Sequence, residues 1–134
     1  MSQLKIKTQA MNLLARREHS QLELYRKLQV RGYNNDLIND TIEELIKEDL
    51  QSDERFAENY IRSRMRRGFG PIRIALELRE RGVDQDIIEK LVDKHNEKWQ
   101  KLAMEVKRKK FGEQKMDAKQ IRFMQYRGFP LMRE

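Results

Sequence analysis

Cysteine is absent from this chain of 134 residues, which excludes disulfides and thiolate metal sites. Histidine is scarce. His19 and His95 stand far apart in polar surroundings near helix ends, where solvated surface positions are expected. No His-Glu-x-x-His, Gly-rich phosphate loop or Ser-His-Asp arrangement is present, so no enzyme, metal or cofactor is expected. Apolar runs are short. None approaches the roughly 18 residues of a membrane span, and the N-terminus lacks a signal-peptide core. A cytoplasmic protein with no membrane association is expected. Alternating β-branched runs and Asn-Gly or Asp-Gly hairpin turns are also missing, which leaves an all-α chain.

What the chain has instead is charge. Charged residues make up 38%, and the net charge is +7. The balance is uneven. Residues 1–50 carry 8 basic and 8 acidic side chains, and residues 51–82 carry 8 and 5. Residues 83–96 carry 2 and 4, and residues 97–134 carry 11 and 5. The positive field grows toward the C-terminus and suits nucleic acid or an acidic partner.

One pattern recurs three times. Residues 24–38 read LYRKLQVRGYNNDLI, residues 74–88 read IALELRERGVDQDII, and residues 120–129 read QIRFMQYRGF. Each is an amphipathic helix ending in Arg-Gly and an apolar residue: Arg31-Gly32-Tyr33, Arg81-Gly82-Val83, Arg127-Gly128-Phe129. The glycines lie 50 and then 46 residues apart, a period typical of stacked helical modules. Three tandem three-helix repeats are predicted, over residues 1–50, 51–96 and 97–134. They should form an elongated, curved array whose stability sums module and interface terms.

Helical spacing supplies the cores. The first module offers Ala10, Leu13 and Leu14, a capping box at Ser20 and Glu23, then Leu24 and Leu28. After the Gly32 stop, Asn34 or Asn35 caps a helix with Leu37, Ile38, Ile42, Leu45 and Ile46 on its inner face. The second begins at Ser52, with Phe56, Ala57, Tyr60 and Ile61 inward. Gly68-Phe69-Gly70 breaks it and Pro71 opens the next helix. Ile74, Ala75 and Leu78 pack inward up to Gly82, and Asp84 caps a helix with Ile87, Ile88, Leu91 and Val92. The third starts near Glu97 with Trp99, Leu102, Ala103 and Val106. Phe111-Gly112 ends that helix, and Asp117 with Gln120 opens a further one. Only four residues follow Phe129-Pro130, so this repeat lacks most of its last helix.

Two groups of cations carry the candidate contacts. Arg55, Arg62 and Arg66 fall within about 40° on a helical wheel, opposite the apolar stripe. They form either a solvated face, with Glu54 and Glu58 as partners, or a surface for phosphates or acidic groups. Arg67, Arg73, Arg79 and Arg81 extend it. The run Lys107-Arg108-Lys109-Lys110 is the densest basic patch and a candidate for DNA, although it also ends a helix, where cations are favoured. Few aromatics interleave it, so base stacking is poorly supported. Arg64 is different: it sits in the apolar stripe, with Arg17 and Lys110 in the equivalent places. Such a residue snorkels past its packed stem or bonds the carbonyls of a neighbouring helix. Arg17, Gly32, Arg64, Gly70, Pro71, Gly82 and Gly128 are taken as structural.

The stretch FAENYIRSRMRRGFGPIRIALELRERGV (residues 56–83) resembles the RecX family in its Phe-Ala start, Tyr60, Arg64, Gly68, the Gly70-Pro71-Ile72-Arg73 turn and the Arg81-Gly82-Val83 end. LLARREHSQLELYRKLQVRGY (residues 13–33) resembles the family's first repeat and FMQYRGF (residues 123–129) its third. The resemblance implies a non-enzymatic regulator that lodges in the groove of the RecA recombinase–DNA filament. It would restrain strand exchange, ATP hydrolysis and co-protease activity, and so modulate DNA repair and the SOS response. It also implies three tandem three-helix repeats and, in some members, contact with single- or double-stranded DNA. A monomer suffices for this role. A direct DNA-binding protein of the helix-turn-helix kind is the alternative. The third repeat departs from the family pattern by stopping soon after Phe129.

Overall fold

Short polar side chains start six of the eight described helices, and glycine corners stop five of them. The computed structural model describes residues 3–130, among which there are eight helices and no strands. The first module holds α1 (Gln3–Arg16), α2 (Gln21–Val30) and α3 (Asn35–Lys47). The second holds α4 (Asp53–Arg66), α5 (Pro71–Glu80) and α6 (Gln85–Leu91). The third holds α7 (Glu97–Phe111) and α8 (Ala118–Tyr126). What would begin that module's last helix falls on residues 131–134, outside the described residues. Ser20 with Glu23 and Asp117 with Gln120 form complete capping boxes. Asn34, not Asn35, caps α3, and Ser52 and Asp84 cap α4 and α6.

The recurring Arg-Gly corner has one geometry. Tyr33 N–H donates to the Leu28 carbonyl and Gly32 N–H to that of Gln29. Val83 and Gly82 do the same to Leu78 and Arg79, and Phe129 and Gly128 to Met124 and Gln125. This crossed pair of bonds needs a left-handed residue at the corner. The residue after the glycine then turns inward: Tyr33, Val83 and Phe129 are all buried, as are Leu28, Leu78 and Met124. The motif therefore encodes a corner and a core residue together.

The closely packed helix pairs all lie within modules. Ile6, Ala10, Leu13, Leu24, Leu28, Tyr33, Ile38, Ile42 and Leu45 build the first core. Ile46, expected inside, is 41% exposed, because the helix turns it out of the stripe that Ile38, Ile42 and Leu45 occupy. The second core gathers residues from Phe56 to Val92 and also takes Trp99 from α7. The third is small, with Ala103, Met116, Met124 and Phe129. The surface is 8952 Å², whereas a compact protein of this mass exposes about 7,500 Å². The excess is that of an extended array.

The corners also make the joints. Gly128 lies so close to α5 that a Cβ there would sit 2.3 Å from the Arg73 Cβ. A Cβ on Gly70 would sit 2.5 Å from the Gly128 carbonyl carbon. Gly70 N–H donates to the Arg127 carbonyl at 2.8 Å and Ile72 N–H to the Gly128 carbonyl at 3.0 Å. At the first joint a Cβ on Gly82 would meet the Leu22 Cβ at 2.8 Å. The rest of that joint is polar. Asp53 accepts from Gln21 N–H, Gln51 Nε2 donates to the His19 carbonyl, and Arg55 Nε reaches Glu18 at 2.6 Å.

His19 departs from the expected solvated position: only 1% of it is exposed. The joint closes over it, and its own bonds replace water. Lys27 Nζ, which can only donate, lies 2.9 Å from Nε2. Nδ1 therefore carries the proton and donates to the Arg17 carbonyl at 3.0 Å. Burial, with Arg17 and Lys27 nearby, pushes the imidazole pKa down despite that carbonyl. The unfolded chain then binds the proton more readily. Stability is full above the unfolded value of about 6.5 and falls as pH drops through it toward the folded value.

Two outcomes follow. Gly128→Ala should lower stability by about 2–3 kcal/mol, from the left-handed strain plus the clash with α5, whereas Gly32→Ala should cost only the strain, about 1 kcal/mol, since nothing lies within 4 Å of its Cβ position. Urea denaturation checks the ranking, and equal midpoints would refute the joint. Melting temperature should fall on acidification from about pH 7 to about pH 5.5, and the fall should shrink in His19→Asn.

Candidate functional site

The second joint is organised around one carboxylate. Arg64 grips Glu77 in a two-bond fork, Nε to Oε1 at 2.9 Å and a terminal nitrogen to Oε2 at 2.8 Å. Tyr60 donates its hydroxyl to Oε1 at 3.0 Å, and Arg73 Nε reaches Oε2 at 3.3 Å. Burial alone would raise the Glu77 pKa, but the bonds from Arg64, Tyr60 and Arg73 outweigh it and hold it below the usual carboxylate range. Burial and the same bond push the Tyr60 phenol up to about 12.

The arginines fixed by Glu77 stack on Phe69. The guanidinium carbons of Arg64, Arg73 and Arg127 lie 3.8, 4.5 and 4.8 Å from its ring centroid. Arg127 comes from the third module. It also faces Phe123 at 5.1 Å and donates to the Arg67 carbonyl at 2.8 Å. Arg73 donates to the Tyr126 carbonyl and faces the Tyr126 ring at 5.0 Å. Each such contact contributes about 0.5–2 kcal/mol, so the cage is a substantial part of the joint.

Beside it opens a groove of about 510 Å³ between α4 and α7. Met65, Leu102, Val106 and Gly68 line it with Arg66, Arg67, Lys109, Lys110 and Arg127. Glu105 is its one acidic lining residue and pairs with Lys109 at 2.8 Å. Arg66 and Arg67 make no ion pair among the described residues. Low-dielectric walls carrying charge of one sign focus the field outward.

The candidate cations thus separate. Arg66 and Arg67 meet Lys109 and Lys110 in one groove. Arg55 is folded back on Glu18 and Asp49 of the first module instead of joining an open ridge. Arg73 is held in the cage. Arg81 donates to the Glu77 carbonyl, lies over Tyr60 and approaches Glu23 at 3.9 Å. Arg62 is exposed and bonds Asn59 on its own helix, and Arg79 bonds Gln85. Lys107 reaches the Glu113 carbonyl and Arg108 is exposed outside the groove.

Arg64 neither snorkels nor bonds a carbonyl, because Glu77 offers a two-toothed acceptor one helix away. Arg17, its counterpart, is exposed on Glu23 and the Glu18 carbonyl. Lys110, the third in that series, is exposed and faces Phe123 at 5.4 Å. Sequence reasoning did not find Glu77, Phe69 or the Arg127 side chain as parts of a site. The only signal was a cation in an apolar stripe, which demands a buried partner without naming it. Glu77→Gln should cost about 1.5–3 kcal/mol, the worth of a hydrogen bond to a charged group, and should bring the Tyr60 phenol part of the way back toward the usual value of about 10 in a spectrophotometric titration, burial keeping the rest of the shift.

Family models described as RecX, first three-helix domain, and RecX, second three-helix domain, match residues 7–45 and 52–91. Regulatory protein RecX of Pseudomonas syringae pv. tomato is 42% identical over 131 residues, covering 94% of this chain and 84% of its own. That of Legionella pneumophila is 38% identical over 125 residues, covering 90% and 83%. The crystal structure of RecX from Lactobacillus salivarius matches with a TM-score of 0.77 at 26% identity, covering 96% of this chain and 88% of that one.

Proposed function

The chain belongs to the RecX family of regulatory proteins, and on that premise we propose that it binds the RecA recombinase–DNA filament in the filament's groove. There it restrains strand exchange, ATP hydrolysis and co-protease activity, and so modulates DNA repair and the SOS response. It does so by occupancy, as a cytoplasmic monomer, with no chemistry or cofactor of its own.

The observation that carries this reading is the basic groove at the second joint. Its cations come from two modules, so it is a property of the assembled array and not of one helix. An extended protein with such a field is drawn to a nucleoprotein polymer at a rate that falls with salt. No aromatic among the described residues lines the groove, which favours phosphate contact over base reading. That same feature supports a second reading, direct and sequence-independent DNA binding.

A titration at fixed salt against bare single-stranded DNA and against preformed recombinase filaments separates the two. Tighter binding to filaments is expected, and equal affinity would refute the filament reading. Arg66→Glu with Lys110→Glu should weaken filament binding roughly tenfold and lower the log–log salt slope by about one per residue. The melting temperature should fall only modestly, because both cations end a helix and Lys110 faces Phe123, but neither side chain belongs to a core, and the drop in binding should remain well below that melting temperature.

A further inference from the structure

Polarity reverses at the first joint. A groove of about 530 Å³ there is lined by Asp49, Asp53, Glu54 and Asp84, with no basic residue in its lining among the described residues. One of these carboxylates holds an exposed partner: Glu54 pairs with Lys90, whose side chain is 68% exposed, while Asp49 pairs with the joint residue Arg55. A surface pair such as Glu54 with Lys90 exchanges at little cost. Gln51 also lines the groove and is 1% exposed. Its Nε2 donates to the His19 carbonyl and to Asp53 Oδ1, while its Oε1 has no hydrogen-bond partner among the described residues. Turning the amide over would set oxygen against two acceptors, so this orientation is fixed. A buried acceptor without a donor is unfavourable until one arrives.

We propose that this groove receives an arginine side chain presented by a partner protein. The guanidinium supplies several donors in a planar fork, enough for the carboxylates of Glu54 and Asp84 and, once the side chains that close it off from solvent part, for Gln51 Oε1. Ile46, 41% exposed, and Ile87 form apolar walls beside those carboxylates. An arginine stem and its flanking residues cover that surface, whereas a polyamine, charged along its length, does not. A nucleic-acid strand is repelled. The inference leans on the filament reading only for who the partner is; the groove's preference belongs to the protein alone.

The test is ¹⁵N NMR of the full chain with the blocked peptide Gly-Leu-Arg-Leu-Gly, its citrulline counterpart and spermidine. The arginine peptide should shift the Gln51 side-chain amide and the Gly82 and Asp84 backbone amides to saturation. The neutral citrulline peptide should leave them in place. Glu54→Gln with Asp84→Asn should weaken the arginine peptide about tenfold, with the melting temperature unchanged, since asparagine caps α6 as well as aspartate does. Unmoved Gln51 signals, equal shifts with citrulline, or spermidine displacing the peptide with the same shifts would each overturn the proposal. A protein that takes the peptide but shows no preference for filaments keeps this inference and loses the filament reading.

Discussion

The carbonyls of Arg127 and Gly128 do for α5 what a side chain does for the other capped helices. Gly70 offers no side-chain oxygen, and Pro71 removes one donor, so the start of α5 is left with N–H groups to satisfy. The third module supplies the acceptors, reaching Gly70 and Ile72 with its own corner. That contact needs two bare Cα atoms: Gly70 against the Gly128 carbonyl, and Gly128 against Arg73. From this approach follow the insertion of Arg127 beside Phe69, the placement of α7 along α4, and the groove that opens between them.

The arginines around the second joint are divided between two settings. Arg64, Arg73 and Arg127 are immobilised by Glu77, Phe69 and backbone carbonyls. Arg66 and Arg67 stand on that scaffold without ion-pair partners among the described residues. A long flexible cation loses much side-chain entropy on binding, so presenting it from a rigid cage limits the rest of the ordering cost. The joint's stability and the groove's charge therefore come from the same residue type in different surroundings.

Periodicity made the modules legible, and capping chemistry fixed their helix starts at Ser20, Ser52, Asp84 and Asp117. These are local signals, and local geometry obeys them. The joints were not legible, because they depend on residues distant in sequence. Nothing in the run around Glu77 announces that Arg64 will grip it, or that Arg127 will cross to Phe69. The wheel put Arg55 beside Arg62 and Arg66, but a wheel does not include Glu18, which draws it back to the first module. His19 was misread for the same reason: its burial comes from a joint and not from its own helix.

Trp99 carries a mechanical consequence. It starts on α7 yet lies in the core of the second module, so an apolar splice as well as a polar one fastens the last two modules. The first joint has no such shared side chain in either core cluster. It is held by surface ion pairs, side-chain hydrogen bonds and the contact of Gly82 with Leu22. The two joints therefore differ in kind: the second shares a core residue across its modules, and the first rests on polar contacts and one close glycine approach.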